Sequence, residues 1–553
     1  MKQFAKIHSL LVATLILASF LRLYHLGTNP PSLDWDEASL GYNAYSLLKT
    51  GADEYGNTWP LSIRSFNDYK PPLYTYLTIP AVALFGLSEF AVRLPSALAG
   101  VIAVAAAYFL SIELFKDHRP SRSLALTSSF LLTISPWHLQ FSRAAFEANL
   151  ALTFHLLSVT FFLKWVNLST NKNHQATKPY SHLLFILLSS LCASASFYSY
   201  HSARLVVPLL FLSFALIFRK LLLARPRHFL ASLALSLALL FPLLYIGTRG
   251  YAADRLGSTS IFTAPQNYFR ENERLSRLHH YDVTAVGLDK LIPSEAIGYA
   301  QIIIRNYFEH FNFNFLFLTG DANPRHSAAG MGVLYLSQFP LLLYGAYRLI
   351  VDKPKFAPII WLLLLIAPLP AAITQETPHA IRSLLMLPAL TIITAYGFVS
   401  MYQAFAKKRF GSLPIISYSL LLTINFVVYL NLYFVITPEE RSQAWQYGYK
   451  QLVQKVGELE PGYDRLVITT KYDQPHIYFA FYQQIDPKLY QTYAQTASRN
   501  IGQYYFVQDI PAYVAPANQK TLLIGAPHQL RIETPFEQID FLDGSPAFLF
   551  YNL

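Results

Sequence analysis

"PPLYTYLTIPAVALFG", residues 71–86, is apolar enough to enter a membrane, short for a crossing, and opens with two prolines. Whether it spans decides the side on which every later loop lies. Around it, apolar runs near the ~20 residues needed to cross a bilayer recur at about 7–26, 91–114, 123–138, 148–166, 182–199, 203–218, 229–247, 328–347, 357–373, 380–405 and 413–436, eleven in all. If 71–86 does not span, the inner side receives the N-terminus, "FKDHRPSR" (115–122), the loop 164–178, "FRKLLLARPR" (218–227), "YRLIVDKPK" (347–355) and "AKKR" (406–409). These hold nearly all the basic clusters between spans, with only Asp117 and Asp352 as acids. If it does span, every later cluster lands outside. The first arrangement follows the positive-inside bias and the second violates it repeatedly, so 71–86 is read as an interfacial or re-entrant helix on the outer face.

Composition agrees. Of 553 residues, 53% are hydrophobic and 14% charged, against roughly 25% charged in soluble domains. The net charge of +11 is scattered in short clusters between apolar runs, which reports orientation and excludes a nucleic-acid footprint. The N-terminus carries Lys2 and Lys6 before an apolar run with no small-residue cleavage site, and is read as a retained first helix. The single cysteine, Cys192, lies in an apolar run, so neither an intramolecular disulfide nor a thiolate metal cluster is expected.

The outer side then receives the loop 27–90, the turn "SPWHLQFSRAAFE" (135–147), a long loop 248–327, and everything after Ile436. In the long loop "SEAIGYAQIIIRNYFEHFNFNFLFL" mixes apolar residues with Arg305, Glu309 and His310, which suits a helix lying on the surface. After residue 437, "RSQAWQYGYKQLVQKVGEL" has helical spacing, and "DRLVITT", "GQYYFVQ", "KTLLIGA" and "PAFLFYN" read as short strands. The expected division is a membrane domain over 1–436 and a small extracytoplasmic α/β domain over 437–553.

Charged groups converge on this outer side. The first loop supplies Asp34, Asp36, Glu37, Arg64, Asp68 and Lys70; helix ends supply Arg93, Arg143, Glu147, His201, Arg204, His379 and Arg382; "GDANPRHS" adds Asp321, Arg325 and His326. Carboxylates that can take a proton and cations that neutralise a departing phosphate suit group transfer from an anionic, lipid-borne leaving group. A transporter would also gather charges at helix ends. Structural roles compete too. Asp34 suits an N-cap for "EASLGYNAYSLL", Lys70 can snorkel to a headgroup, and His138, Glu147 and His201 suit satisfied polar groups. His279 and His280 lack a carboxylate at ligand spacing. The sequon at Asn167 falls on the inner side and is read as chance.

The blocks "DEASLGYNAYSLLKTGADEYG" (36–56), "DYKPPLYTYLTIPAVALFGLSEFAVRLPSALAG" (68–100), "FSRAAFEANL" (141–150), "YSYHSARLVVPLL" (198–210) and "PHAIRSLLMLP" (378–388) together resemble bacterial family 39 glycosyltransferases of GT-C fold, the protein O-mannosyltransferase and aminoarabinose transferase superfamily. The resemblance implies that Asp36 and Glu37 match the family's Asp-Glu pair, whose Asp activates the acceptor. It implies that Lys70 matches the lysine that contacts the carrier phosphate in aminoarabinose transferases, that Arg93 matches the arginine opening the second span, and that the Pro-Pro segment is an outer juxtamembrane helix. Where those enzymes carry Arg-Tyr this chain has "ASLGY", so lipid A specificity does not carry over, and no MIR-type domain is evident.

The expectation is therefore a polytopic GT-C protein of about eleven spans in a prokaryotic plasma membrane. It moves a sugar from a polyprenyl-phosphate donor to a glycan, lipid or protein acceptor on the outer face, with inversion. Asp36 is the expected base with Glu37 beside it, and Lys70, Arg143, Arg204 and Arg382 the expected phosphate ligands. Arg93, Glu147, His201, His379, Asp321 and His326 are expected donor or acceptor contacts. No cofactor is required by any ligand spacing, and a divalent ion stays open. A flippase for lipid-linked glycans is the alternative, and a non-catalytic scaffold a third.

Overall fold

The computed structural model describes residues 2–66, 68–118, 120–170, 179–247, 260–263, 294–406, 408–409, 411–496, 500–508, 510, 516, 518–529 and 534–552. The His279–His280 pair and most of the expected long outer loop lie outside the described residues.

Among these, five helices are long and apolar enough to cross a bilayer: Glu89–Leu114, Glu147–Thr170, Pro226–Ile246, Leu384–Phe405 and Ser412–Glu440. Shorter apolar helices occupy Ser9–Leu23, Leu73–Phe85, His182–Phe197, Ala203–Ile217 and Ala357–Ala372. The apolar window of Pro226–Ile246 buries none of its residues and that of Ser412–Glu440 only 17%, whereas Leu384–Phe405 buries 89%. Helices that bare Leu216, Phe241, Leu244, Leu420 and Val427 present an apolar surface that only lipid covers without penalty. The protein is a multi-pass membrane protein.

The decisive stretch forms a helix over Leu73–Phe85. Its 13 residues reach about 20 Å, less than the roughly 30 Å of a hydrocarbon core. The expected run 328–347 is helical only from Gln338. Its first part is held as a loop because Val333 and Leu334 donate backbone hydrogen bonds to Phe315 and Leu316 of the preceding π-helix, at 3.3 and 2.7 Å.

The chain divides into two compact units. One comprises Met1–Ile16, Ile102–His138 and Ala151–Asn425. Within it the helices Gln338–Asp352 and Leu387–Phe405 cross at two glycines. A Cβ on Gly345 would stand 1.9 Å from the Ile393 carbonyl oxygen, and one on Gly397 2.1 Å from that of Leu341. Small residues bring the two backbones into contact, as in tightly packed membrane helix pairs.

The other unit comprises Leu17–Val101, Leu139–Leu150 and Phe426–Leu553. Here a ribbon of β1 (Ile63–Ser65) and β2 (Asp68–Lys70) pairs Ile63 with Lys70. A five-stranded sheet runs β4 (Tyr504–Val507), β3 (Arg465–Thr469), β5 (Thr521–Gly525), β7 (Pro546–Asn552), β6 (Glu537–Asp540). Pairing is parallel between β3 and both β4 and β5, and antiparallel from β5 outward. The helix Trp35–Thr50 packs between Leu73–Phe85 and Pro475–Tyr482. It is tied to the α/β segment by Tyr42 Oη donating to the Ile485 carbonyl (2.9 Å) and by Gln446 Oε1 accepting from Trp35 N–H (2.9 Å).

Candidate active site

Helix Trp35–Thr50 starts where it does because Asp34 caps it. The Asp34 carboxylate accepts from Glu37 N–H at 2.8 Å, and the Glu37 carboxylate accepts in return from Asp34 N–H at 3.3 Å, a capping box. This puts Asp36 and Glu37 in the first turn, where the helix dipole favours negative charge. The two neighbours then face different surroundings.

Glu37 is buried and saturated. Arg93 grips it with two parallel hydrogen bonds of 2.9 Å, from Nε to Oε1 and from Nη2 to Oε2, and Ala145 N–H adds a third at 2.8 Å. The remaining Arg93 donors reach the carbonyls of Leu26 (3.2 Å), Pro30 (2.8 Å) and Ser32 (2.5 Å). Arg143 is likewise buried, donating to the carbonyls of Leu21, Tyr24 and Asn29 at 2.6, 2.7 and 3.0 Å and to Tyr433 Oη at 3.2 Å. Each guanidinium sews together chain segments that the sequence leaves far apart.

Asp36 is the accessible one. Its side chain is 45% exposed, and its Oδ1 receives Lys70 Nζ at 2.5 Å, while Lys70 itself is only 7% exposed. Lys70 ends β2, just before the prolines that start Leu73–Phe85, so a rigid turn aims the ammonium at the first turn of the Asp36 helix. Burial would pull the Lys70 pKa down. The Asp36 carboxylate outweighs this, with Glu147 and Asp34 adding to it, and leaves it above the ordinary lysine value. Glu147, half-buried, opens the helix Glu147–Thr170. The site is thus a reachable carboxylate backed by a buried ammonium.

In the same unit an open cavity of about 600 Å³ is lined by Asn29, Ser32, Glu89, Lys450, Gln451 and Tyr482 among others. Glu89 accepts from Lys450 Nζ at 2.7 Å on its wall.

The remaining expected residues belong to the other unit. Arg204 donates to the Phe197 carbonyl at 3.3 Å, and His201 lies half-buried just before the helix Ala203–Ile217. Arg382 donates to Thr374 Oγ1 and the Gln375 carbonyl at 2.8 and 2.7 Å. Asp321, His326 and His379 come together as a buried cluster. His326 Nδ1 stands 2.8 Å and His379 Nδ1 3.8 Å from Asp321 Oδ2. Burial raises the Asp321 pKa, but the hydrogen bond and charge of His326 dominate and hold it down at about 2. Burial keeps His379 well below the usual histidine range.

Sequence reasoning missed the support around these groups. His310 is fully buried, its Nδ1 2.8 Å from the Asn306 carbonyl oxygen and its Nε2 accepting His379 N–H at 3.1 Å. Ile302, Asn306 and His310 recur every four residues on one helical face, a signal present in the sequence.

Residues 69–246 match the family model of dolichyl-phosphate-mannose-protein mannosyltransferase. Among solved structures, apo ArnT from Cupriavidus metallidurans superposes with a TM-score of 0.54 at 11% identity, over 99% of this chain and 98% of ArnT. ArnT bound to undecaprenyl phosphate gives 0.51 at 12% identity, over 98% and 97%. The archaeal oligosaccharyltransferase AglB from Archaeoglobus fulgidus, in complex with an inhibitory peptide and a dolichol-phosphate, gives 0.52 at 11% identity, over 87% of this chain but 64% of AglB. The chain therefore spans just under two thirds of AglB and nearly all of ArnT. No curated protein matches the sequence at a significant level. The family resemblance read from the sequence is met by the family match and the shared fold.

Proposed function

We propose that the protein is a glycosyltransferase that moves a sugar from a polyprenyl-phosphate donor to an acceptor on the outer face of a prokaryotic plasma membrane. The observation that carries this reading is the accessible Asp36 carboxylate paired with the buried Lys70 ammonium. The polyprenyl and dolichol phosphates bound by ArnT and AglB support the donor class.

In this reading the donor phosphate competes with Asp36 for Lys70. As the phosphate takes up the ammonium, the Asp36 carboxylate is released to accept a proton from the acceptor hydroxyl or amine. The acceptor attacks the anomeric carbon, the sugar–phosphate bond breaks, and the lipid phosphate leaves with its negative charge neutralised by Lys70. One displacement with one base inverts the anomeric centre, unlike the two-step retaining scheme known for glycosidases. Glu37, with both oxygens engaged by Arg93 and Ala145, is assigned a positioning role, and Arg93 and Arg143 are assigned the same. Arg204 and Arg382 stay as proposed phosphate helpers, and Glu147 and His201 as proposed donor or acceptor contacts. The eleven-span topology, with residues 437–553 as an outer α/β domain, follows from the charge bias of the loops.

The test is transfer from a labelled polyprenyl phosphosugar by purified protein. Asp36→Asn is expected to stay folded and lose turnover by the 10²–10⁴-fold typical of a lost general base. Lys70→Ala is expected to weaken donor handling. Full activity in Asp36→Asn would remove the base assignment, and donor kinetics unchanged in Lys70→Ala would remove the phosphate role. A flippase would move the labelled lipid without consuming it.

A further inference from the structure

We propose that Asp321, His326 and His379 form a binding site for a divalent transition metal of the zinc class, which ties the loop around 320–327 to the loop around 374–383. One potential ligand atom from each of the three lies within 4.8 Å of the others. In a tetrahedral site with bonds of about 2.1 Å, neighbouring ligand atoms stand about 3.4 Å apart. The observed separations of 2.8 Å (His326 Nδ1 to Asp321 Oδ2) and 3.8 Å (His379 Nδ1 to the same oxygen) bracket that value. For these two pairs, reaching the tetrahedral spacing requires shifts of about half an ångström.

A second observation points the same way. His379 Nδ1 is buried and has no hydrogen-bond partner, although the residue is only 6% exposed. A buried polar nitrogen left unsatisfied is costly, and here it faces a carboxylate across a gap too long for a hydrogen bond. A metal ion satisfies it.

The surroundings are those of a built site. Asp321 is oriented by two backbone donors, Asn323 N–H to Oδ1 at 2.8 Å and Ala380 N–H to Oδ2 at 2.6 Å. The Ala380 peptide is pinned from its other side by Trp137 Nε1, which donates to its carbonyl at 3.1 Å. His379 N–H is held by His310 Nε2 at 3.1 Å. Gly320 precedes the aspartate at φ +73° with Ser327 Oγ 2.8 Å from where a Cβ would lie, so the loop closes tightly on itself. Such outer contacts fix ligand orientation in metal sites.

Two imidazoles and one carboxylate favour zinc or a similar first-row ion over magnesium or calcium, which prefer oxygen donors. On binding, the proton between His326 Nδ1 and Asp321 Oδ2 is released to solvent and both atoms become ligands. Three protein ligands leave a fourth position for water or an anion.

The experiment uses the full chain purified in detergent without chelator. Metal content is measured by elemental mass spectrometry, and chelator-stripped protein is titrated with Zn²⁺ and with Co²⁺, whose four-coordinate complexes absorb visibly. The expected result is about one metal per chain in the wild type, a melting temperature lowered by chelator and restored by Zn²⁺, and loss of both in His379→Ala and Asp321→Asn. Stripped wild-type protein needs no variant to fold. If it takes up no Zn²⁺ or Co²⁺, or if folded variants bind as the wild type does, the site is refuted. Neither result depends on sugar transfer, so this proposal and the glycosyltransferase reading fail separately.

Discussion

At the scale of single residues, adjacent carboxylates take opposite roles because of where helix geometry sends them. Asp36 and Glu37 are chemically alike, yet about 100° of helical rotation separates their side chains. One reaches an accessible surface with Lys70, and the other is enclosed by Arg93. Removing the Glu37 charge leaves Arg93 buried without its anion, so Glu37→Gln is expected to destabilise the protein by about 3–5 kcal/mol. Thermal unfolding in detergent reads this directly. Asp36→Asn should melt closer to the wild type, because Lys70 also feels Glu147 and Asp34. Equal melting temperatures for Glu37→Gln and wild type would show that the Arg93 clamp is not what holds the loop 27–90. The pair was legible in the sequence as a motif. Which of its members is reachable was not, because the partners Arg93 and Ala145 come from distant segments.

At the scale of elements, the crossing of Gln338–Asp352 and Leu387–Phe405 rests on backbone contact at Gly345 and Gly397. Alanine in a helix gains about 1 kcal/mol over glycine from backbone entropy. Here the added methyl meets carbonyl oxygens that cannot turn aside, and overpacking costs about 1–3 kcal/mol or more. Gly345→Ala and Gly397→Ala are therefore expected to lower the melting temperature, and a rise in either would refute the close crossing. The sequence showed both helices as apolar runs. It did not show the crossing, because the two glycines lie in separate runs and meet only through tertiary packing. The strands β3, β4, β5 and β7 were each legible as short apolar segments between turns. β6, "EQID", was not, since half of its residues face solvent and its register is set by β7.

At the scale of the whole molecule, the loop charges make a testable topology. Cys192 is buried, so the natural chain offers little background to thiol labelling. In spheroplasts, an impermeant maleimide is expected to label Thr58→Cys in the loop 27–90 and to label Lys353→Cys only after permeabilisation. Labelling of both, or of Lys353→Cys alone, would overturn the orientation and with it the outer-face site.

The membrane class, the orientation bias and the GT-C resemblance are legible in the amino-acid sequence, because apolar run length, loop charge and short motifs are local properties. The loop charges also favoured reading the stretch 71–86 as a helix that does not span, and the structure forms a 13-residue helix there. Which charged groups meet is set by packing alone. Asp36 finds Lys70 from the end of β2, Glu37 finds Arg93 from the next long helix, and Asp321 and His326 find His379 from a distant loop. Ion pairs and ligand sets depend on ångström distances between segments remote in sequence, and those distances exist only once the helices have packed.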